Sequence, residues 1–232
     1  MSGCAVTPAK AEVQVPLKAI TVIIDLHVHT RRYSACSSID PSDLIPRALE
    51  VGLDGLVLTE HGILWRQEKI APLQEEAAKH GLLILAGQEI SCFHGGRRKD
   101  FLVFGIDTSL GSAGTPEELI DLVHDQGGLV VAAHPFKPSR LGVGYHGAGD
   151  EIRSLNLDAV ELYHPDHDEQ AREKVRSAAE ELGIPMTGGG DAHELYHLGS
   201  NSTRFLNRVS TVDDLVNEIR EGRVEPLNGA PK

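Results

Sequence analysis

No stretch of this sequence holds enough consecutive apolar residues to cross a bilayer, which excludes a helical integral membrane protein. Cysteine is scarce and oddly placed. Cys4, Cys36 and Cys92 are odd in number and lack a Cys-x-x-Cys spacing, so a disulfide framework is not expected. Met1 to Pro16 lacks the basic start and apolar centre of a signal peptide, and the expected compartment is a reducing cytoplasm. Positive charge is the third shortage: 22 Lys and Arg face 34 Asp and Glu, a formal charge of −12. Long nucleic acids call for a basic surface, so they are poor partners for this chain. A small phosphorylated substrate needs only a local basic site. Internal repeats, low-complexity tracts and a domain linker are also missing.

What is present is histidine, 12 in 232 residues, and a regular alternation of apolar and amphipathic segments. Residues 1–18 show no helical or strand period and read as a mobile tail, with one domain over 19–232. Strand-like runs are Ile20–Leu26, Gly55–Thr59, Leu82–Ala86, Phe101–Ile106, Leu129–Ala133, Ala159–Leu162 and Ile184–Thr187. Helical patterns fall between them. Pro41 to Val51 follows the N-cap Asp40, and Arg66 to His80 stops at Gly81. Thr115 caps a helix to Gln126, and Glu169 to Leu182 stops at Gly183. Thr211 to Glu221 stops at Gly222. Leu141 to Gly149 reads as a long surface loop, a possible lid. Buried strands alternating with helices predict a parallel α/β sheet, closed or nearly closed into a barrel, with a doubly wound open sheet as the alternative.

Polar residues collect where these strands end. His27 and His29 close the first run; at i and i+2 of an extended strand, both point to one face. Glu60 and His61 close the second, Glu89 follows the third, and His134 the fifth. Glu161 and His164 close the sixth, and Asp191 and His193 the seventh. In a parallel barrel these ends share one rim, where barrel enzymes carry their sites. Imidazole and carboxylate form a ligand set suited to Zn²⁺, Mn²⁺ or Fe²⁺. So many converging donors predict two or three ions with a bridging carboxylate, and hydrolysis by an activated water.

The ordered motifs Asp25-Leu26-His27-Val28-His29-Thr30, Thr59-Glu60-His61-Gly62, Gly87-Gln88-Glu89-Ile90, Ala133-His134-Pro135 and Gly190-Asp191-Ala192-His193 resemble the PHP (polymerase and histidinol phosphatase) family. The resemblance implies a distorted (β/α)7 barrel, a site of two or three divalent ions at the C-terminal rim, and metal-dependent phosphoester hydrolysis. It places the first ion on His27, His29, Glu89 and Asp191. The second would be shared by Glu89 with His134 and Asp100, where the family often has a histidine. A third falls to His61 and His193. The catalytic water would be held by ions at Glu89, His134, Asp191 and His193. The family usually supplies another ligand after the His-x-His. Here Arg31 to Ser38 contains no carboxylate or imidazole, and Cys36 and Asp40 are weak substitutes. Glu60 stands where an Asp is more usual.

For phosphate recognition, Arg97 and Arg98 of the dense basic run Arg97-Arg98-Lys99, Arg31 beside the histidine pair, and His164 are the expected substrate contacts. His80, His124 and His167 are expected at the surface, as are His94 and His146 in their Gly-containing loops; Cys92 reads as buried. A phosphomonoester is the favoured substrate. Two other readings keep the barrel. One is an amidohydrolase-type C–N hydrolase, disfavoured because no Lys stands at a strand end. The other is a degenerate module that binds a ligand without turnover. Oligomeric state is open.

Overall fold

The computed structural model describes residues 21–139 and 144–231. The expected tail at 1–18, Ile20, Cys4 and the first part of the 141–149 loop lie outside them. In chain order the elements are β1 Val22–Val28, α1 Leu44–Val51, β2 Gly55–His61, α2 Gln67–Ala78, β3 Leu83–His94 and β4 Arg97–Phe104. There follow β5 Ser112–Ala113, α3 Pro116–Asp125, β6 Leu129–Ala132, β7 Ala159–Tyr163, α4 Glu169–Leu182, β8 Met186–Gly188, β9 Asn201–Phe205, α5 Val212–Arg220 and β10 Val224–Asn228. No helix among the described residues is long and apolar enough to cross a membrane.

The strands form one sheet in the order β10-β9-β1-β2-β3-β4-β6-β7-β8, with β5 against β3, curled into a nearly closed barrel. The sheet is mixed where the sequence pattern predicts parallel pairing. β4 runs antiparallel to both β3 and β6, and β9 is antiparallel to β1 and β10. A Gly-Gly turn explains the first reversal: Gly95 and Gly96 have φ of 62° and 73° between His94 and Arg97, as a tight hairpin requires. Reversal puts the beginning of β4, and with it Asp100, at the same rim as the ends of the parallel strands. The expected Pro41 helix opens as a 3₁₀ turn, capped by the Asp40 carboxylate on Ser42 N at 2.9 Å. Pro46 therefore falls in the first turn of α1, where its missing N–H costs nothing.

Apolar residues pack in three clusters. Ile24, Leu26, Val57, Leu102, Val131 and Phe205 fill the barrel, and α5 joins them through Leu215, Val216 and Ile219. Val28, Leu56 and Leu58 face α1 and α2, while Phe101, Val103, Ala132 and Val160 face α3 and α4. The inward phase of each strand is thus readable from its neighbours.

Closure occurs at the rim. Beyond β8 the chain meets the end of β1 in a parallel bridge, Val28 with Ala192, where His29 N donates to Ala192 O and Ala192 N to His27 O at 3.0 and 3.1 Å. Gly189 permits the approach. A Cβ there would lie 2.6 Å from His27 Cβ and 2.7 Å from Glu161 Oε1.

Candidate metal centre

Alternation alone carries His61, Glu89 and Asp100 inward, in phase with Val57, Leu85 and Leu102 of the barrel core. His27 and His29 need a shift of phase, because Ile24 and Leu26 already point inward. The β1–β2 register slips between Asp25 and Val28, and Thr59 Oγ1 accepts the Val28 N–H at 3.0 Å. This bulge re-aims the histidine pair into the barrel. His134 and Asp191 take the left-handed conformation, with φ of 28° and 43°, the only non-glycine residues described with positive φ. Such strain is costly and clusters at functional sites.

The donor atoms form a compact set. His27 Nε2 lies 3.6 Å from Glu89 Oε1 and 3.4 Å from Asp191 Oδ1; His29 Nε2 lies 3.5 Å from Glu89 Oε2 and 3.4 Å from Asp191 Oδ1. These spacings are long for hydrogen bonds, but a tetrahedron with ligand bonds of about 2.1 Å has edges of roughly 3.4 Å. Both Nε2 atoms are buried with no hydrogen-bond partner, as is His134 Nδ1, while His61 Nδ1 and Glu89 Oε2 lie 2.7 Å apart. Orphaned donors at this density fit a cation. Four groupings have ligand atoms within 4.8 Å of one another: His27 with His29 and Glu89; Glu89 with Asp100 and His134; His29 with His61 and His193; and His134 with His164 and Asp191. The first two share Glu89.

Outer partners fix which nitrogen is free. His27 Nδ1 lies 3.2 Å from Glu161 Oε1, an acceptor, so Nδ1 keeps its proton and Nε2 is the nitrogen that can give one up to a cation. Glu161 Oε2 accepts the N–H of His134 at 2.8 Å, bracing that strained residue. His29 Nδ1 lies 3.3 Å from Ser34 Oγ, whose hydroxyl donates to Glu60 Oε2 at 2.6 Å. Ser34 therefore occupies the segment where the sequence shows no ligand, and orients His29 instead. Glu60 turns away from the cluster and also accepts from Thr30 N and Trp65 Nε1 at 3.1 and 3.0 Å. His164 is the opposite case. Its Nδ1 accepts the Asp166 N–H at 3.0 Å, leaving Nε2–H to donate to Asp191 Oδ2 at 3.1 Å.

Charge follows from this packing. Burial opposes ionisation of Glu89 and Asp191, yet the surrounding histidines outweigh it and hold both carboxyls well below the usual range. Burial alone would discharge His27, but Asp191, Glu161 and Glu89 hold it well above 6.5. His29 is pushed down to about 3 and His164 to about 4, chiefly by burial, so both stay neutral. Burial and the Glu89 charge raise Asp100. At neutral pH His27 thus holds a proton that an incoming cation must displace. Affinity for Zn²⁺ or Mn²⁺ should rise with pH up to the His27 pKa, because the proton-free form is the binding form. Calorimetry in two buffers of different ionisation enthalpy should show about one proton released per first ion; no release would contradict this charge assignment.

Several expected contacts lie elsewhere. Arg31 points to Asp40 with its side chain 62% exposed, outside the cluster. Arg97 shares the outer face of β4 with Lys99, beside Gly144, in a cavity of about 160 Å³. Arg98 does reach the cluster, its Nε donating to Asp100 Oδ1 at 2.7 Å, and Ser91 Oγ donates to the same oxygen at 2.7 Å. Cys36 is exposed and outside every donor group described; Cys92 is buried, its thiol pushed up to about 12 by burial. His167 is buried rather than at the surface, its Nδ1 on Leu162 O at 3.0 Å. Lys137 escaped the sequence reading. Three residues after His134, it places Nζ 2.7 Å from Asp191 Oδ2, so a lysine does reach the rim. The proximity of Lys137 to His134 in sequence is the signal that could have found it.

Comparison with known families agrees with this geometry. The family model for the PHP domain matches residues 25–176, and that for the PHP-associated region matches residues 169–224. The chain belongs to the PHP family. Among relatives of this PHP protein, the uncharacterized protein MJ1587 of Methanocaldococcus jannaschii is 26% identical over 153 residues, covering 62% of this chain and 82% of the relative. A two-domain protein from Bacteroides vulgatus containing a predicted PHP-like metal-dependent phosphoesterase superposes with a TM-score of 0.70 at 17% identity, over 96% of this chain and 70% of that one. A candidate metal-dependent phosphoesterase from Bifidobacterium adolescentis gives 0.63 at 19% identity, over 87% and 96%. An amidohydrolase from Chromobacterium violaceum, with bound sulfate and no metal, gives 0.56 at 17% identity, over 73% and 87%. At these identities the structures establish the shared barrel.

Proposed function

We propose that this PHP protein is a metal-dependent hydrolase of phosphoesters, acting on a small phosphorylated substrate, with phosphomonoesters favoured. The observation that carries the reading is the pair of donor groups sharing Glu89, with orphaned Nε2 atoms of His27 and His29 on one side and His134 with Asp100 on the other. Two divalent ions, Mn²⁺, Zn²⁺ or Fe²⁺, suit these imidazole and carboxylate donors, and His61 with His193 are the donors left for a third. Such ions supply a deprotonated water as nucleophile and neutralise charge on phosphoryl oxygens.

The protein's own groups do the remaining work. Glu161 and Ser34 hold His27 and His29 in the tautomers that direct Nε2 inward. Arg98, anchored on Asp100, offers further N–H groups to a phosphoryl oxygen. His164 is neutral, and its Nε2–H donates to Asp191 Oδ2, so it holds that carboxylate in place beside the donor set.

The amidohydrolase reading draws on the Chromobacterium violaceum likeness, which at 17% identity is one of fold. Against it, Lys137 is paired with Asp191 and Asp166, and the shared position belongs to Glu89. The test is turnover of aryl phosphates against aryl amides by protein loaded with Mn²⁺, Zn²⁺ or Fe²⁺. Phosphate ester cleavage that chelation abolishes is expected. Amide cleavage alone would transfer the assignment to the C–N reading. Loaded protein cleaving neither would favour a binding module.

A further inference from the structure

Lys137 has no part in the reading above. Its backbone is pinned on both sides, with its N–H donating to His134 O at 2.9 Å and its carbonyl accepting from His146 N at 2.9 Å. The side chain turns back to the cluster, where Nζ meets Asp191 Oδ2 at 2.7 Å and Asp166 Oδ2 at 3.3 Å. An ammonium carries three protons. Two carboxylates account for two, and among the described residues the third has no partner. The side chain is 24% exposed, so it is only partly covered by its neighbours.

Which oxygen Lys137 holds matters. Asp191 Oδ1 faces the Nε2 atoms of His27 and His29, and Lys137 takes the other oxygen. The ammonium thus stands beside the cation position without competing for it. A second cationic side chain at the cluster is Arg98, held by Asp100. A phosphoryl group seated at the cluster has the Lys137 and Arg98 cations among its neighbours.

We propose that Lys137 binds a terminal oxygen of the substrate phosphoryl group and selects monoesters over diesters. The inference rests on the phosphoesterase reading. A phosphomonoester presents three terminal oxygens and up to two negative charges, a diester two oxygens and one charge. Two ions sharing Glu89 can engage two oxygens, so the third is the atom only a monoester offers to the ammonium. A purely structural Lys137, holding Asp191 in place, would serve both substrates equally.

The test compares wild type, Lys137→Gln and Lys137→Arg, all loaded with Mn²⁺, with bound metal measured in each. Binding of inorganic phosphate is followed by calorimetry, and hydrolysis with p-nitrophenyl phosphate and bis-p-nitrophenyl phosphate. Lys137→Gln should lose on the order of 10- to 100-fold in phosphate affinity and in monoester kcat/KM, mostly through KM. With metal content equalised at saturating Mn²⁺, the ratio of monoester to diester kcat/KM should fall by a similar factor, and Lys137→Arg should recover part of the loss. Equal losses on both esters, or unchanged phosphate binding in Lys137→Gln, would overturn the proposal and leave the phosphoesterase reading intact. If wild type binds phosphate but cleaves no ester, that reading falls and phosphate affinity alone decides the role of Lys137. Wild type that binds no phosphate would overturn the proposal too.

Discussion

Asp191→Ala should abolish hydrolysis and strip the first ion from the protein while leaving it folded. Asp191 Oδ1 is 3.4 Å from both His27 Nε2 and His29 Nε2, so its removal opens one vertex of the donor set. The change also removes the anion that His27, His164 and Lys137 surround. Two cations then face each other across the gap, which further disfavours a divalent ion. Loss of an orienting partner lowers metal affinity or activity by roughly 10- to 100-fold, and loss of a ligand itself should exceed that, on the order of 10³-fold in kcat/KM. Elemental analysis and aryl phosphate turnover, with circular dichroism to verify folding, are the measurements. A folded variant that retained its full complement of ions would remove Asp191 from the ligand set.

The second large effect is expected at Glu161, which touches no other carboxylate of the cluster. Its two oxygens both accept, one from His27 Nδ1 and one from His134 N. A glutamine has the same shape but only one accepting oxygen. Whichever way the amide turns, its NH₂ confronts a donor. The backbone N–H of His134 cannot adapt, so His27 must: when a cation displaces one of its protons, the one that remains is favoured on Nε2, the atom meant for the ion. Glu161→Gln should therefore weaken metal binding by roughly 10- to 100-fold, read by competition with a chelator of known affinity. Glu161→Ala should add a loss of stability of about 3–5 kcal/mol, since it leaves a buried charged His27 with one fewer counter-ion. Unchanged affinity in Glu161→Gln would mean that His27 binds through a different nitrogen.

The sequence made the donor inventory legible but not its supports. His27, His29, Glu89, His134 and Asp191 stand out because each closes or follows a predicted strand in a family-like order. Asp100 lies with Glu89 and His134 even though its strand runs the other way, since Gly95-Gly96 turns β4 back to the same rim. The supports are contacts between distant segments, which no local period records. Glu161 to His27 spans 134 positions, and Ser34 gains meaning only from Glu60, 26 positions away. Alternation also misleads at the very residues of interest. A bulge re-phases His27, and left-handed backbone re-aims His134 and Asp191. β9, Asn-Ser-Thr-Arg-Phe, has no apolar run at all; its pairing with β1 and β10 makes it a strand.

The bridge between Val28 and Ala192 has a topological consequence. Nearby, the Asp25 carboxylate accepts the N–H of Gly190, 165 positions further along the chain. His27 stands on one side of this junction and Asp191 on the other, so an ion gripped by both ties a loop that takes in most of the polypeptide. A covalent tie closing a loop of that length removes about 5 kcal/mol of freedom from the unfolded chain. The ion would thus act as a rivet in the barrel wall as well as a reagent, and filling the centre and shutting the barrel become a single event.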